Sequence, residues 1–369
     1  MIRKTTGAST KPTIALVAGG TGGHFFPALA LNEALQKAGY PTHVITDERT
    51  HFPETLSAKT PVKRMQLAPL NGLKGHTLFA VKGLWQTLRL WRWMHKHRIQ
   101  LVVGFGGYVS APALLAGAFV GARLMLHEQN AYAGRVTRLF APLAVCITTG
   151  FLTLSGLKSR WSFKCTYTGN PVRPIFTNVH WGPTEERVTL LILGGSQGAR
   201  IMSQVVAPAI ALLPPALRKK LNVYHQARPE DLTAVTTLYA NAGITAHVQS
   251  FFDTVPTLLS QADLAICRAG AATLSELMCV GTPALLIPYA NAMDDHQTVN
   301  AQVLVNSGAA LVTKESTLNE NELAKTLEHV IKDNMKRREM AQKLRQMQKP
   351  NASHEMVKVI ESLLYSPKE

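Results

Sequence analysis

Two glycine-rich turns, one in each half of the chain, most limit how this polypeptide can fold. Ala18-Gly19-Gly20-Thr21-Gly22-Gly23-His24 follows the apolar run Thr13 to Val17, and Leu193-Gly194-Gly195-Ser196-Gln197-Gly198-Ala199 follows Val188 to Leu193. Each leads into a helical pattern. Glycines there let the backbone turn sharply and bring N–H groups close to an anion, and the helix N-terminus adds partial positive charge. One such turn is unspecific. A pair within 369 residues predicts two nucleotide-type domains facing a common cleft.

The remaining pattern agrees. Apolar runs at Thr42 to Thr46, Gln100 to Val103, Ala122 to His127 and Ala144 to Thr148 read as strands of the first half. Asn222 to Gln226, Ala246 to Ser250, Asp263 to Cys267 and Pro283 to Ile287 read as strands of the second. β-Branched runs separated by helices indicate doubly wound parallel sheets covered on both faces. Pro27 suits a first helical turn and Gly39 a helix end. The Pro- and Gly-punctuated stretch Thr168 to Pro183 divides the chain into domains 1–175 and 176–350. A terminal helical stretch from Ser353 to Leu364, within 353–369, could pack back on the first domain.

Composition narrows the function classes. With 46% hydrophobic and 17% charged residues the chain can bury large cores. Its formal net charge of +16 implies anionic partners: a phosphorylated substrate, an anionic membrane surface or nucleic acid. A generally basic surface is the plainer alternative. Against nucleic acid, no recognised binding module is present, and the aromatic and basic residues cluster in one segment. That segment, Asn71 to Arg98, interleaves Trp85, Leu88, Trp91 and Trp93 with Lys74, Lys82, Arg89, Arg92, Lys96 and Arg98, without an acid. It suits a helix lying at an anionic lipid interface, or an ordinary amphipathic helix on the sheet. The four cysteines form no Cys-x-x-Cys pair and read as free thiols in a reducing compartment. The short polar start, Met1 to Lys11, lacks an apolar export core, and no apolar run reaches bilayer-spanning length.

Polar residues just beyond strand ends are the best candidates for chemistry, because ligands gather there in open parallel sheets. His24 is a candidate general base, with a pKa expected to fall at a helix start; a structural histidine bonding its own loop is the alternative. Gly106, Gly107 and Tyr108 belong to a third phosphate-sized turn, Gly104 to Ser110. Glu128 is a second candidate base, unless tied to a loop amide or an arginine, and Asn130 offers a sugar both donor and acceptor. Arg173 at the hinge can address a diphosphate bidentately. Ala271, Ala272, Thr273, Leu274 and Ser275 open a helix whose amides can grip phosphate, with Glu276 one turn in and able to accept from a ribose diol. Asp294, Asp295 and His296 invite a metal reading, but no third carboxylate stands at suitable spacing, so no metal site is expected. Gln297 reads better as an amide for sugar hydroxyls.

Seven ordered stretches, GGTGGHFFPALA, GFGGYVSAPALLA, HEQNAYAG, TGNPVR, LLILGGSQGAR, CRAGAATLSEL and DDHQTVNA, resemble the MurG family of peptidoglycan glycosyltransferases over about residues 12 to 310. The resemblance implies a GT-B fold of two Rossmann-like domains, acceptor site in the first and UDP-sugar mostly in the second. It implies inverting, metal-independent transfer of N-acetylglucosamine (GlcNAc) from UDP-GlcNAc to the C4 hydroxyl of N-acetylmuramic acid in lipid I, giving lipid II, without cofactor. The work would be done peripherally at the cytoplasmic face of the bacterial membrane, with cell-wall synthesis and division proteins as possible partners. By motif, Thr21, Gly22 and Gly23 approach donor sugar or phosphate, Asn130 contacts GlcNAc, and Arg173 and Ser196 the diphosphate region. Ala271 to Glu276 hold phosphate and ribose, and Gln297 the sugar. Phe252 stands where the family usually has an aliphatic residue near uracil, which leaves that contact to the backbone. Other UDP-sugar enzymes of the same fold, including 2-epimerases, share the donor half; the acceptor-side stretches distinguish them.

Overall fold

The computed structural model describes residues 11–19, 22–48, 60–67, 72–183, 187–195 and 198–365, with the backbone alone for 72–81. Among the described residues thirteen strands form two all-parallel sheets. The first runs β3-β2-β1-β4-β5-β6-β7, from β1 (Thr13–Val17), β2 (Thr42–Asp47), β3 (Val62–Met65), β4 (Ile99–Gly104), β5 (Arg123–Glu128), β6 (Cys146–Thr149) and β7 (Cys165–Tyr167). The second runs β10-β9-β8-β11-β12-β13, from β8 (Val188–Leu193), β9 (Leu221–Gln226), β10 (Thr245–Gln249), β11 (Leu264–Cys267), β12 (Ala284–Leu286) and β13 (Ala310–Val312). Each sheet starts in its middle, winds outward, and then reverses across its first strand. The switch points therefore lie between β1 and β4 and between β8 and β11, where crevices open beyond the strand C-termini.

Central strands are apolar on both faces because helices cover both. Ile14 to Val17, Leu101 to Val103, Leu190 to Ile192 and Leu264 to Ile266 are fully buried. The three strands not expected from sequence, β3, β7 and β13, are short outer strands; β3 and β7 carry no continuous apolar run, and β13 is apolar but only three residues long. Pro27 falls in the second turn of helix Gly22–Lys37, and its missing N–H leaves the Gly23 carbonyl without its helical donor. Gly39 ends that helix with φ +79°, as expected of its type.

The terminal helix Ala352–Tyr365 leaves the second sheet and packs on the first domain. Met356, Val357 and Ile360 join the core formed by Phe25, Ala28, Leu31 and Leu35, and Tyr40 Oη donates to Glu361 Oε1 at 3.3 Å. The tryptophan-rich segment is a single helix, Gly72–Lys96, packed against helix Ser110–Phe119 through Leu90 and Met94. Cys146, Cys267 and Cys279 are buried, Cys165 is half-buried, and all four are free.

Candidate active site

At the first switch point the turns after β1 and β4 lie against each other. A Cβ on Gly19 would come within 2.7 Å of Val109, so a side chain there would push the turns apart, and one on Gly107 would already be in van der Waals contact, 3.5 Å, with the Gly19 carbonyl. Gly106 and Gly107 take consecutive left-handed conformations, φ +81° and +70°, which make a concave run of backbone at the sheet's end. His24, in the first turn of its helix, rests on this run: a Cβ on Gly106 would lie 3.4 Å from its ring. Tyr108 is half-buried on the core below.

His24 is pushed down to about pKa 4, first by burial and then by His296, which reaches its field from the second domain. The helix dipole expected from sequence is therefore not the main cause. The consequence is the same: a neutral imidazole at the cleft, able to accept a proton.

Beyond β5, Glu128 is occupied. Its carboxylate accepts from the Asn130 N–H and Nδ2 (3.2 Å each), from the Gly134 N–H (2.8 Å) and from Thr137 Oγ1 (2.6 Å). These bonds fix the loop carrying Asn130, and a carboxylate so engaged is poorly placed to take a proton. Asn130 Oδ1 in turn accepts from Asn300 Nδ2 (3.0 Å), across the cleft.

On the opposite wall, helix Ala271–Val280 points its N-terminus at the second switch point, with no side chain capping it. Thr273 and Ala272 are half-exposed there, whereas Leu274 and Ser275 are buried, so this stretch offers backbone amides rather than every side chain. Glu276 is raised to about pKa 7 by burial, against the pull of Arg173. Arg173 Nη2 stands 3.5 Å from its carboxylate, and the guanidinium is clasped between the rings of Phe26 and Phe176, 4.9 Å from each. Its Nε is buried without a partner.

Near β8, Gln226 pins the second glycine turn: its Oε1 accepts from the Gly194 N–H and its Nε2 donates to the Gly195 carbonyl, 3.2 Å each. Gln297 Oε1 accepts from the Tyr289 N–H at 3.0 Å. The acids that invited a metal are otherwise engaged. Asp294 pairs across the cleft with Arg138 and Arg135, and Asp295 accepts from Thr298. Phe252 sits in the second-domain core, its ring 6.1 Å from Tyr224, so its side chain is taken up by packing. Thr21 and Ser196 lie outside the described residues.

The structure thus gathers His24, Gly106, Gly107, Asn130, Arg173 and Glu276 around one crevice between the domains. Sequence reasoning missed the residues that join its walls. Asn300 is fully buried and accepts from the Ala131 N–H (2.8 Å) while donating to Asn130 Oδ1 and the Ala269 carbonyl (3.1 Å). Asn170, in the hinge, binds elements of both domains. Each lies inside a stretch singled out above, but only as one polar residue among several. Phe26 lies in the first of the seven stretches but carries no polar group to mark it, and Phe176 lies outside all seven.

Comparison with known proteins follows the same division. Residues 14–149 match the glycosyltransferase family 28 N-terminal domain, and residues 189–356 its C-terminal domain. A Rhizobium etli protein named UDP-N-acetylglucosamine--N-acetylmuramyl-(pentapeptide) pyrophosphoryl-undecaprenol N-acetylglucosamine transferase is 39% identical over 96% of both chains. A Paramagnetospirillum magneticum protein of the same name is 40% identical over 87% of this chain and 88% of its own. The crystal structure of Acinetobacter baumannii MurG superposes with TM-score 0.76 at 30% identity, covering 95% of this chain and all (100%) of that one. A Listeria monocytogenes putative UDP-N-acetylglucosamine 2-epimerase shares the fold, with TM-score 0.69 at 13% identity over 97% of this chain and 98% of its own.

Proposed function

The chain belongs to the MurG family within glycosyltransferase family 28, and from that membership we propose that it transfers GlcNAc from UDP-GlcNAc to the C4 hydroxyl of N-acetylmuramic acid in lipid I, forming lipid II for peptidoglycan. One observation carries the reading at the level of residues. His24 rests on the Gly106–Gly107 turn of the first domain and is held neutral by burial and by His296 of the second, and its helix also carries Phe26, which packs on the Arg173 that pairs with Glu276.

The chemistry follows from that arrangement. The acceptor oxygen attacks C1 of GlcNAc from the face opposite UDP, and the C1–O bond to the diphosphate breaks with its electron pair leaving on UDP. A single displacement inverts the anomeric centre. His24 takes the hydroxyl proton as the new bond forms. The amides at the start of helix Ala271–Val280, with Arg173, receive the charge growing on the diphosphate. Glu276 is set to accept from the ribose. On this reading fixed dipoles and a guanidinium neutralise the leaving group, and no metal or cofactor is needed.

The acceptor is a lipid, so the reading includes peripheral attachment at the cytoplasmic membrane face. Leu84, Trp85, Leu88 and Trp91 are 61, 53, 51 and 38% exposed on helix Gly72–Lys96, beside the exposed cations Lys82, Arg89 and Arg92. Among the described residues no helix is long and apolar enough to cross a membrane.

The test is transfer of labelled GlcNAc from UDP-GlcNAc to a short-chain lipid I analogue with EDTA present. A β-linked disaccharide product is expected. No transfer would reject the activity; transfer abolished by EDTA and restored by magnesium would reject the metal-free mechanism.

A further inference from the structure

A buried hydrogen-bond chain crosses between the domains directly beneath the crevice. His127, fully buried at the end of β5, contacts Thr148 Oγ1 through Nδ1 and Asn170 Oδ1 through Nε2, each at 3.0 Å. Asn170, also buried, donates through Nδ2 to the Gln129 carbonyl (3.0 Å) and to Ser275 Oγ (2.9 Å). Ser275 Oγ donates to the Ala271 carbonyl at 2.8 Å, in the first turn of the helix that offers its amides to the cleft.

The bonding is directional. Both Asn170 amide protons are spent on oxygens, so its Oδ1 must accept, and His127 must carry its proton on Nε2. The surrounding backbone makes room for this amide: a Cβ on Gly150 would lie 2.2 Å from Asn170 Oδ1. Ser275 stands one residue before Glu276, and Gln129 lies between Glu128 and Asn130. The chain therefore ties the loop of the first domain that bears Asn130 to the helix of the second that bears Glu276.

We propose that Asn170 and Ser275 are positioning residues for the transfer step. Their hydrogen bond sets the register of helix Ala271–Val280 against the end of β5, and through it the distance between His24 and the donor's C1. Both side chains are buried and spend their hydrogen bonds on protein atoms. Attack in line tolerates little misplacement, so loosening this joint slows the chemistry while leaving nucleotide affinity intact, because UDP is held mainly by the second domain. The inference rests on the cleft reading above and adds to it the element that aligns the two walls.

Ser275→Ala is the cleaner variant, since it removes one hydroxyl from a helix that alanine favours. In GlcNAc transfer to the lipid I analogue, kcat is expected to fall about tenfold. UDP Kd by calorimetry and the lipid I KM should each change by less than about twofold. Asn170→Ala should lower kcat at least as far, and adding Ser275→Ala to it should cost less than about twofold more, because the shared bond is already gone. Unchanged kcat in Ser275→Ala, with or without a lower Tm, would overturn the proposal, as would full additivity of the pair. Glu276→Ala separates this from the underlying reading: it should weaken UDP binding, and unchanged UDP affinity there would sink the donor-site assignment itself.

Discussion

His24 shows what one residue inherits from its surroundings. Its type and its place after a glycine turn mark it as a candidate base, but neither reveals that burial and His296 hold it neutral. His24→Ala should lower kcat by roughly 10²–10⁴ with UDP binding preserved. Near-normal turnover would remove it from the proton path. Because its pKa is depressed, the base form persists well below pH 6.5, and the acid limb of kcat should fall toward pH 4 rather than at the usual histidine value. A limb near 6.5 would mean that another group titrates. Glu128 illustrates the opposite outcome. A carboxylate at a strand end reads as chemistry, yet four donors have claimed it, and what the sequence could not show was where those donors would lie.

At the scale of elements, helix Gly72–Lys96 divides its apolar residues between two uses. Leu90 and Met94 are buried in the core shared by helix Ser110–Phe119 and the first sheet, while Leu84, Trp85 and Leu88 face outward, and Arg89 lies over the Trp85 ring at 4.5 Å. Helical spacing separates these faces, but only packing decides which is covered. If the outward face meets lipid, Trp85→Ser with Leu88→Ser should cut binding to anionic vesicles severalfold at low salt without lowering Tm, since neither side chain is in the core. Flotation with vesicles that is unaffected by these changes would reject this contact. The central strands were legible because parallel sheets buried on both faces demand apolar runs. β3 and β7 were not, because these short outer strands carry no apolar run, and β13, though apolar, is only three residues long.

The whole molecule is held by bonds that join residues far apart in sequence. Asn300→Ala would strand the Ala131 N–H and the Ala269 carbonyl, each buried polar group costing about 1–3 kcal/mol. Urea unfolding should show that loss, and an unchanged midpoint would mean that water replaces the amide. Histidine burial adds a pH dependence. His24, His127 and His225 all sit near pKa 4 in the fold against 6.5 for the free side chain. Between those values the unfolded chain binds more protons, so stability is complete above about pH 6.5 and declines as pH falls toward 4. Thermal unfolding should show Tm dropping through that window; a flat Tm would imply that these rings are hydrated.

Alternating apolar runs, paired glycine turns and the ordered polar stretches determined by themselves that the chain forms two doubly wound sheets with glycine turns at the ends of β1 and β8. Those features are local, and local backbone geometry and burial enforce them. Tertiary structure alone decided which polar residues face the crevice and which meet each other. Arg173 faces Glu276, Asn130 reaches Asn300 and Asn170 reaches Ser275 only after two separately folded sheets close on one crevice, because hydrogen bonds between distant residues leave no period in the sequence.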